Sequence, residues 1–234
     1  MIPHFSFLYF KNNYQIYFFD NKNHKNPIVA HKSYELRHKV YCDELNYEST
    51  NDLQKENDYF DSFSSGCLIY LKDNNQPIAS VRLISNDIQN QILPSLDLIR
   101  KKSKTNYIHI SNDLNGLKYG EISRLLILND FRNQKNSIVH SNFLLLLLFA
   151  SVIALAKDLD CIIFVCEKKL LTLFQKIGIP FHRLTEESIE HRGARYPIRI
   201  NLSDVNLKLS QKEINPQLRT IYHFINYLKK QFSK

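Results

Sequence analysis

The sequence predicts a mixed α/β protein, a central sheet with helices on both faces, and three observations carry that prediction. Tyr119–Leu128, Y-G-E-I-S-R-L-L-I-L, alternates polar with apolar residues and then runs purely apolar, as a central strand with one accessible end does. Beyond it apolar strands and helices alternate as far as Ile177, whereas hairpin-like pairs fill the first half. The 234 residues, 44% hydrophobic with five glycines, can build one full-sized core and are too apolar for a disordered chain.

Taken in order, Phe5–Phe10 and Gln15–Phe19 are aromatic-rich runs that form an expected hairpin. Asn26-Pro27 opens a helix with proline at its first position. Val29, Leu36, Val40 and Leu45 share a face, so 27–45 reads as one long amphipathic helix that also carries Tyr34, Arg37, His38 and Tyr41. Thr50–Ser65 has no period and reads as a loop anchored by Tyr59, Phe60 and Phe63. Cys67–Leu71 and Ile78–Ile84 are strands joined by a turn at Asp73–Pro77. Residues 86–106 read as irregular, with a short helix at Leu96–Lys102.

In the central strand Glu121 and Ser123 face the same side, with Arg124 on the other unless a bulge turns it. Residues 129–136 are a polar link. Ser137 caps a helix to about Leu159, apolar nearly all round. Cys161–Cys166 is a strand, and Glu167–Ile177 a helix closed by Gly178. Phe181–Leu184 and Tyr196–Asn201 are strands around a polar excursion at 185–195. In the last helix, Pro216–Phe232, Leu218, Ile221, Ile225, Leu228 and Phe232 form one stripe.

With 31 Lys and Arg against 23 Asp and Glu, the net charge of +8 favours acidic partners. The basic residues are dispersed, densest at Arg100-Lys101-Lys102, Lys104 and Lys229-Lys230, and nucleic acid is not an expected partner. The four cysteines show no metal-ligand spacing, and no metal is expected. No basic segment followed by an apolar stretch and cleavage site opens the chain, and the thiols suit a reducing compartment, so the expected location is the cytoplasm. The longest apolar run, Phe143–Ala156, is too short to span a bilayer.

Four stretches then occur in sequence order. They are Tyr34-x-x-Arg37-x-x-Val40-Tyr41-Cys42-x-Glu44-Leu45, Glu56-x-Asp58-x-x-Asp61, Val81-Arg82-Leu83 and Glu121-Ile-Ser-Arg124. Together they resemble the autoinducer-synthase-like branch of the GNAT acyltransferases. That branch holds acyl-homoserine-lactone synthases, N-acyl amino acid synthases and PEP-CTERM/exosortase-associated acyltransferases. The segment L-R-H-K-V-Y-C-D-E and the later His191–Pro197 look most like the last group. The resemblance covers about residues 30 to 200. It implies a GNAT fold whose strands four and five, here Tyr119–Leu128 and Cys161–Cys166, splay apart around an acyl thioester. It also implies an acyltransferase domain at 1–205, with 1–26 as an aromatic hairpin or strand, and a C-terminal amphipathic helical extension at 206–234.

The implied reaction moves a fatty acyl group from an acyl-carrier-protein (4'-phosphopantetheine) or acyl-CoA thioester to the amine of a small amino-acid-like acceptor, with no tightly bound cofactor. An acidic carrier protein suits the +8 charge. The catalytic positions carry over to Glu121, Ser123 and Arg124, and the substrate-binding ones to Arg37, Tyr41, Asp58, Asp61 and Arg82. The chain has no tryptophan, and offers Tyr47 where lactone synthases place one after the first helix. The link before the Ser137 helix has no glycine. Backbone amides there, with Arg132, Lys135 and Ser137, suit a single phosphate better than a pyrophosphate.

Aminolysis needs a base for the amine, an oxyanion stabiliser and a thiol leaving group. Glu121 stands either as that base or as a structural partner of Arg82 or Arg124. Ser123 either binds substrate or satisfies a neighbouring carboxylate. Arg37, Arg82 and Arg124 against Asp58, Asp61 and Glu121 make a charge-balanced cluster, because buried charges need partners. The acidic stretch 56–61 lacks the glycine and ligand pattern of a calcium loop. His38 and Cys42 lie four apart with no third orienting group, so a Cys–His nucleophile is not expected. The last helix either docks on the domain or lies on a membrane or carrier surface. A lactone synthase using S-adenosylmethionine and a non-catalytic acyl-binding module are the alternatives.

Overall fold

A computed structural model describes residues 13–86, 91–132, 137–211 and 216–232. In chain order the elements are β1 (Tyr14–Asp20), α1 (Pro27–His38), β2 (Ser64–Leu71), β3 (Gln76–Ser85), α2 (Pro94–Lys102), α3 (Lys104–Asp113), β4 (Tyr119–Ile127), α4 (Asn129–Arg132), α5 (Ser137–Leu155), β5 (Cys161–Cys166), α6 (Lys168–Ile177), β6 (His182–Arg183), β7 (Ile189–Glu190), β8 (Ala194–Asn201), α7 (Leu202–Ser210) and α8 (Pro216–Phe232). The class is mixed α/β, as the sequence predicts. The chain divides into two compact units, and β4 contributes to both, Tyr119–Ile122 to one and Ser123–Ile127 to the other.

One unit comprises the chain up to Leu83, Ser123–Leu155 and the residues from Thr220 on. Its strands follow the order β1-β2-β3-β4. β1 lies antiparallel to β2 from Tyr14↔Leu71 to Asp20↔Ser65, so the partner of the expected Gln15–Phe19 strand is β2; Phe5–Phe10 lies outside the described residues. Gly66 of β2 is obligatory: a Cβ there would fall on the Phe19 ring and 2.5 Å from the Val81 carbonyl oxygen.

α1 starts at Asn26, which is left-handed (φ 52°) and gives its side-chain amide to the Phe18 carbonyl at 2.7 Å, with Pro27 next. The expected single helix to residue 45 instead stops as an α-helix at His38 and continues as a π-helical turn, Lys39–Glu44. That wider turn keeps Val40 with Leu36 in a core shared with Leu68, Leu126 and Leu128. The polar link after β4 begins as the short helix α4. α5 ends at Leu155 rather than near 159, and its buried Ser151 hydroxyl is satisfied by the Leu147 carbonyl at 2.8 Å. Residues Ile221, Phe224, Ile225 and Leu228 of α8 are buried, and Phe224 meets Phe143 edge-on at 6.0 Å. This stripe therefore docks on its own unit; Phe232's side chain lies outside the described set.

The other unit comprises Ile84–Ile122 and Ala156–Arg219. β5 runs parallel to β4 over Tyr119↔Cys161, Gly120↔Ile162 and Glu121↔Ile163, and the ladder ends there. β8 lies antiparallel along all of β5, and β6 and β7 both pair with β8. The expected strand Phe181–Leu184 is reduced to His182–Arg183, and the polar excursion at 185–195 contains β7. The stretch read as mostly irregular holds two helices. Ser103 joins them: its N–H closes α2 on the Ile99 carbonyl at 2.8 Å and its hydroxyl accepts from Asn106 N–H at 3.2 Å to start α3. α6 ends at left-handed Gly178 (φ 81°), whose N–H reaches the Phe174 carbonyl at 2.9 Å. α7, which the sequence reading left out, buries Leu202, Val205 and Leu209.

Candidate active site

Four segments of the first unit converge on one charge network. Arg37 comes from the last turn of α1 and Arg82 from β3. Glu56, Asp58 and Asp61 come from the loop and 3₁₀ turn before β2, and Arg124 from β4. The turn is locked first by its own backbone: Asp58 accepts from Phe60 N–H at 2.9 Å, and Asp61 accepts from Asp58 N–H at 2.7 Å. Their remaining lone pairs meet guanidinium forks. Arg37 is bidentate on Asp61 at 2.6 and 3.0 Å and gives Nε to Glu56 at 2.5 Å. Arg82 is bidentate on Asp58 at 2.5 and 3.0 Å and approaches Asp61 at 2.9 Å. Arg124 gives Nε and Nη2 to Glu56 at 3.0 and 2.7 Å and Nη2 to Asp58 at 3.2 Å.

Three guanidinium ions thus face three carboxylates, which is what burial demands of charges. The network is graded: the Arg37 and Arg82 side chains are 1% and 2% exposed, while Asp58 and Arg124 are 28% and 24% exposed and form an accessible rim with Glu48. Burial pushes the Glu56 carboxyl up, but the hydrogen bond from Arg124 and the charge of Arg37 prevail and hold it below the usual range. Burial likewise pushes Asp58 up, and Arg82 holds it below the usual range. Glu56 and Asp58 therefore stay ionised at neutral pH.

Ser123 and Arg124 share this network although they are consecutive in a strand. Arg124 adopts φ 51°, a left-handed conformation costly for a residue with a Cβ, and that irregularity turns its side chain toward the acids. The bulge condition in the sequence reading is therefore met. Ser123 Oγ accepts from Arg82 Nε at 2.9 Å, leaving its own proton to donate. Among the described residues, Arg124 Nη1 makes no hydrogen bond. Tyr41 gives its hydroxyl to the Leu125 carbonyl at 3.3 Å, lies under the Arg124 guanidinium at 5.6 Å and stacks on Tyr47 at 6.4 Å.

Glu121 belongs to the other unit and is 3% exposed. It was expected to be the third acid of the cluster; Glu56 fills that place, and Glu121 Oε2 accepts from Ser95 N–H at 2.8 Å. Glu56 was visible in the Glu56-x-Asp58-x-x-Asp61 motif but passed over as a site residue. The signal was its place, in the same short loop as Asp58 and Asp61. Arg132, expected near a donor phosphate, gives Nη2 to Glu44, which also accepts from Asn129 N–H at 3.3 Å. Lys135 lies outside the described residues, and Ser137 is described only as the start of α5. His38 faces Asp43 at 3.6 Å, and the buried Cys42 thiol points at the Ser49 carbonyl at 3.4 Å, with burial raising its pKa. That is no nucleophile pair.

The model of the autoinducer synthase family matches residues 21–209. No curated protein sequence matches the chain. Among solved structures the chain is similar to BjaI, a CoA-dependent acyl-homoserine lactone synthase solved with SAM and isopentyl-CoA. That match has a TM-score of 0.58 and 15% identity, covering 91% of this chain and 90% of that one. It is similar to the AHL synthase LasI at 0.58 and 16%, covering 81% and 89%. For MesI, another CoA-dependent acyl-homoserine lactone synthase, the values are 0.59 and 14%, covering 89% and 95%. At these identities the likeness is one of fold.

Proposed function

Since the chain belongs to the autoinducer synthase family, matched over residues 21–209, we propose that it is an N-acyltransferase. It moves a fatty acyl group from an acyl-carrier-protein or acyl-CoA thioester to the amine of a small amino-acid-like acceptor, in a ternary complex, in the cytoplasm. The observation that carries this reading is the β4–β5 ladder, which ends after Glu121↔Ile163. Past that point Phe164–Cys166 of β5 keeps only its β8 partner among the described residues. A pantetheine arm has amides that pair with such a strand edge.

In this reading Glu121 takes the amine's proton and the amine attacks the thioester carbonyl. Arg124 Nη1 and the Ser123 hydroxyl proton are donors at the accessible rim of the first unit, of the kind that suits a carboxylate. Arg37, Arg82, Asp58 and Asp61 fix that rim, and Tyr41 supports the bulge carbonyl. Arg132 stays with Glu44 and reaches a donor phosphate only through its remaining donors, beside Lys135 and Ser137. The reading treats 1–205 as the acyltransferase domain.

A second reading, lactone synthesis from S-adenosylmethionine, is favoured by the likeness to BjaI, an acyl-homoserine lactone synthase solved with SAM, and to the AHL synthase LasI. Mass spectrometry of lipid extracts from cells expressing wild type and Glu121→Ala tests both. A new N-acylated amino acid made by wild type alone supports the first, and an acyl lactone labelled from isotopic methionine supports the second. Donor binding with no product across an acceptor panel would instead favour a non-catalytic acyl-binding module.

A further inference from the structure

Glu121 has a neighbour that the sequence reading did not single out. α2 begins at Pro94, which has no N–H, after Leu93, which offers no side-chain acceptor. The first N–H of the helix is therefore that of Ser95, and it donates to Glu121 Oε2 at 2.8 Å. A carboxylate from β4 does the capping at a helix end that favours negative charge. Ser95 is 2% exposed, and its Oγ has no hydrogen-bond partner among the described residues. An orphan hydroxyl at such depth calls for an explanation. A serine Oγ lies about 3 Å from its own backbone nitrogen, so this hydroxyl is within roughly 6 Å of Glu121 Oε2, the span of one bridging water.

We propose that Ser95 is a positioning residue for Glu121. Its N–H fixes the carboxylate, and its hydroxyl and the carboxylate together hold the water that relays the acceptor's proton. The proposal rests on the reading of Glu121 as base. The arriving ammonium passes one proton through the water to Glu121. The freed electron pair forms the C–N bond to the acyl carbon and the C–S bond breaks. The second nitrogen proton ends on the departing thiolate, and Glu121 returns its proton to solvent.

Among the described residues α2 carries Asp97, Arg100, Lys101 and Lys102, β4 carries Tyr119 and Arg124 besides Glu121, and β5 carries Cys161 and Cys166. Lys101, followed by Arg100, holds Asp97 below the usual range. Burial raises Tyr119, and pushes the two thiols up to about 11 and about 12. A transition that disappears in Glu121→Gln thus reports the carboxylate.

The test uses the full chain with carboxyl-labelled glutamate, titrated by NMR in wild type, Glu121→Gln, Ser95→Ala and Ser95→Thr. Ser95→Ala keeps the N–H and removes only the hydroxyl. The expected result is a Glu121 transition raised by about one pH unit, because the anion loses a donor, and restored in Ser95→Thr. With a turnover assay, Ser95→Ala also lowers kcat about tenfold at constant thioester KM and moves the acid limb up by the same unit. A Glu121 transition unmoved by Ser95→Ala overturns the proposal. The titration needs no turnover, so an inactive wild type would sink the acyltransferase reading and leave the question about Ser95 to be decided by NMR.

Discussion

The charge network of the first unit and the Glu121 neighbourhood of the second both hold buried carboxylates, yet they are built differently. In the network every carboxylate meets a guanidinium, and Glu56 and Asp58 are held below the usual carboxylate range. An acid so held is a poor base at neutral pH, and its work is to keep α1, the 56–61 turn, β3 and the β4 bulge in register. Glu121 Oε2 instead accepts a neutral N–H at a helix start, beside an orphan hydroxyl. The contrast separates a scaffold from a candidate proton acceptor.

The largest expected effect is on catalysis. Glu121→Gln keeps the shape and removes the base, so kcat should fall by about 10²–10⁴ with the melting temperature nearly unchanged. Full activity with an identified acceptor would break the contrast from one side. Next is Arg37→Met. Its guanidinium is 1% exposed and serves both Glu56 and Asp61, so its removal strands two buried anions. The expected loss is about 3–5 kcal/mol, seen in chemical denaturation. A loss below about 1 kcal/mol would mean the network is not the scaffold described.

How much of this was readable beforehand depends on the kind of signal. β4 and β5 are apolar enough that their period announced them, and Gly178 announced the end of α6. α3 was missed because K-T-N-Y-I-H-I-S-N-D buries only Ile110, so no apolar face exists to be seen. α7 carried a usable signal, Leu202, Val205 and Leu209 at helical spacing, in a stretch otherwise polar. The site was legible as residue types, because arginines and acids in apolar surroundings must pair. Which acid pairs with which arginine was not, because that depends on the left-handed Arg124 and the π-turn, and no local propensity marks either.

Acid titration gives a smaller effect with a definite sign. Glu56 and Asp58 have folded pKa values below the unfolded ones, so their stabilisation is fully present above about pH 4.5 and is lost as pH falls through the folded values. Stability should be flat with respect to these groups from pH 7 to about 5. It should then drop by about 1.4 kcal/mol per pH unit for each extra proton taken up on unfolding. Arg124→Met removes the hydrogen bond that lowers Glu56, so the drop should begin at higher pH. An onset unchanged by that substitution would detach Glu56 from the scaffold.

The smallest effect separates support of the bulge from pairing within the network. Tyr41 touches the site in two ways, through its hydroxyl on the Leu125 carbonyl at 3.3 Å and through its ring under Arg124. Tyr41→Phe removes only the first. The bond is long and Tyr41 is partly buried, so the stability cost should be about 1 kcal/mol or less. The bulge carbonyl, however, loses its donor beside the residue that presents Arg124 to an acceptor. In the acyltransferase reading, acceptor KM should therefore rise several-fold while thioester KM stays put. Tyr41→Leu removes the ring as well and should raise acceptor KM further. Equal effects of the two substitutions would assign the whole contribution of Tyr41 to its hydroxyl, and no effect of either would confine the site to the charged residues.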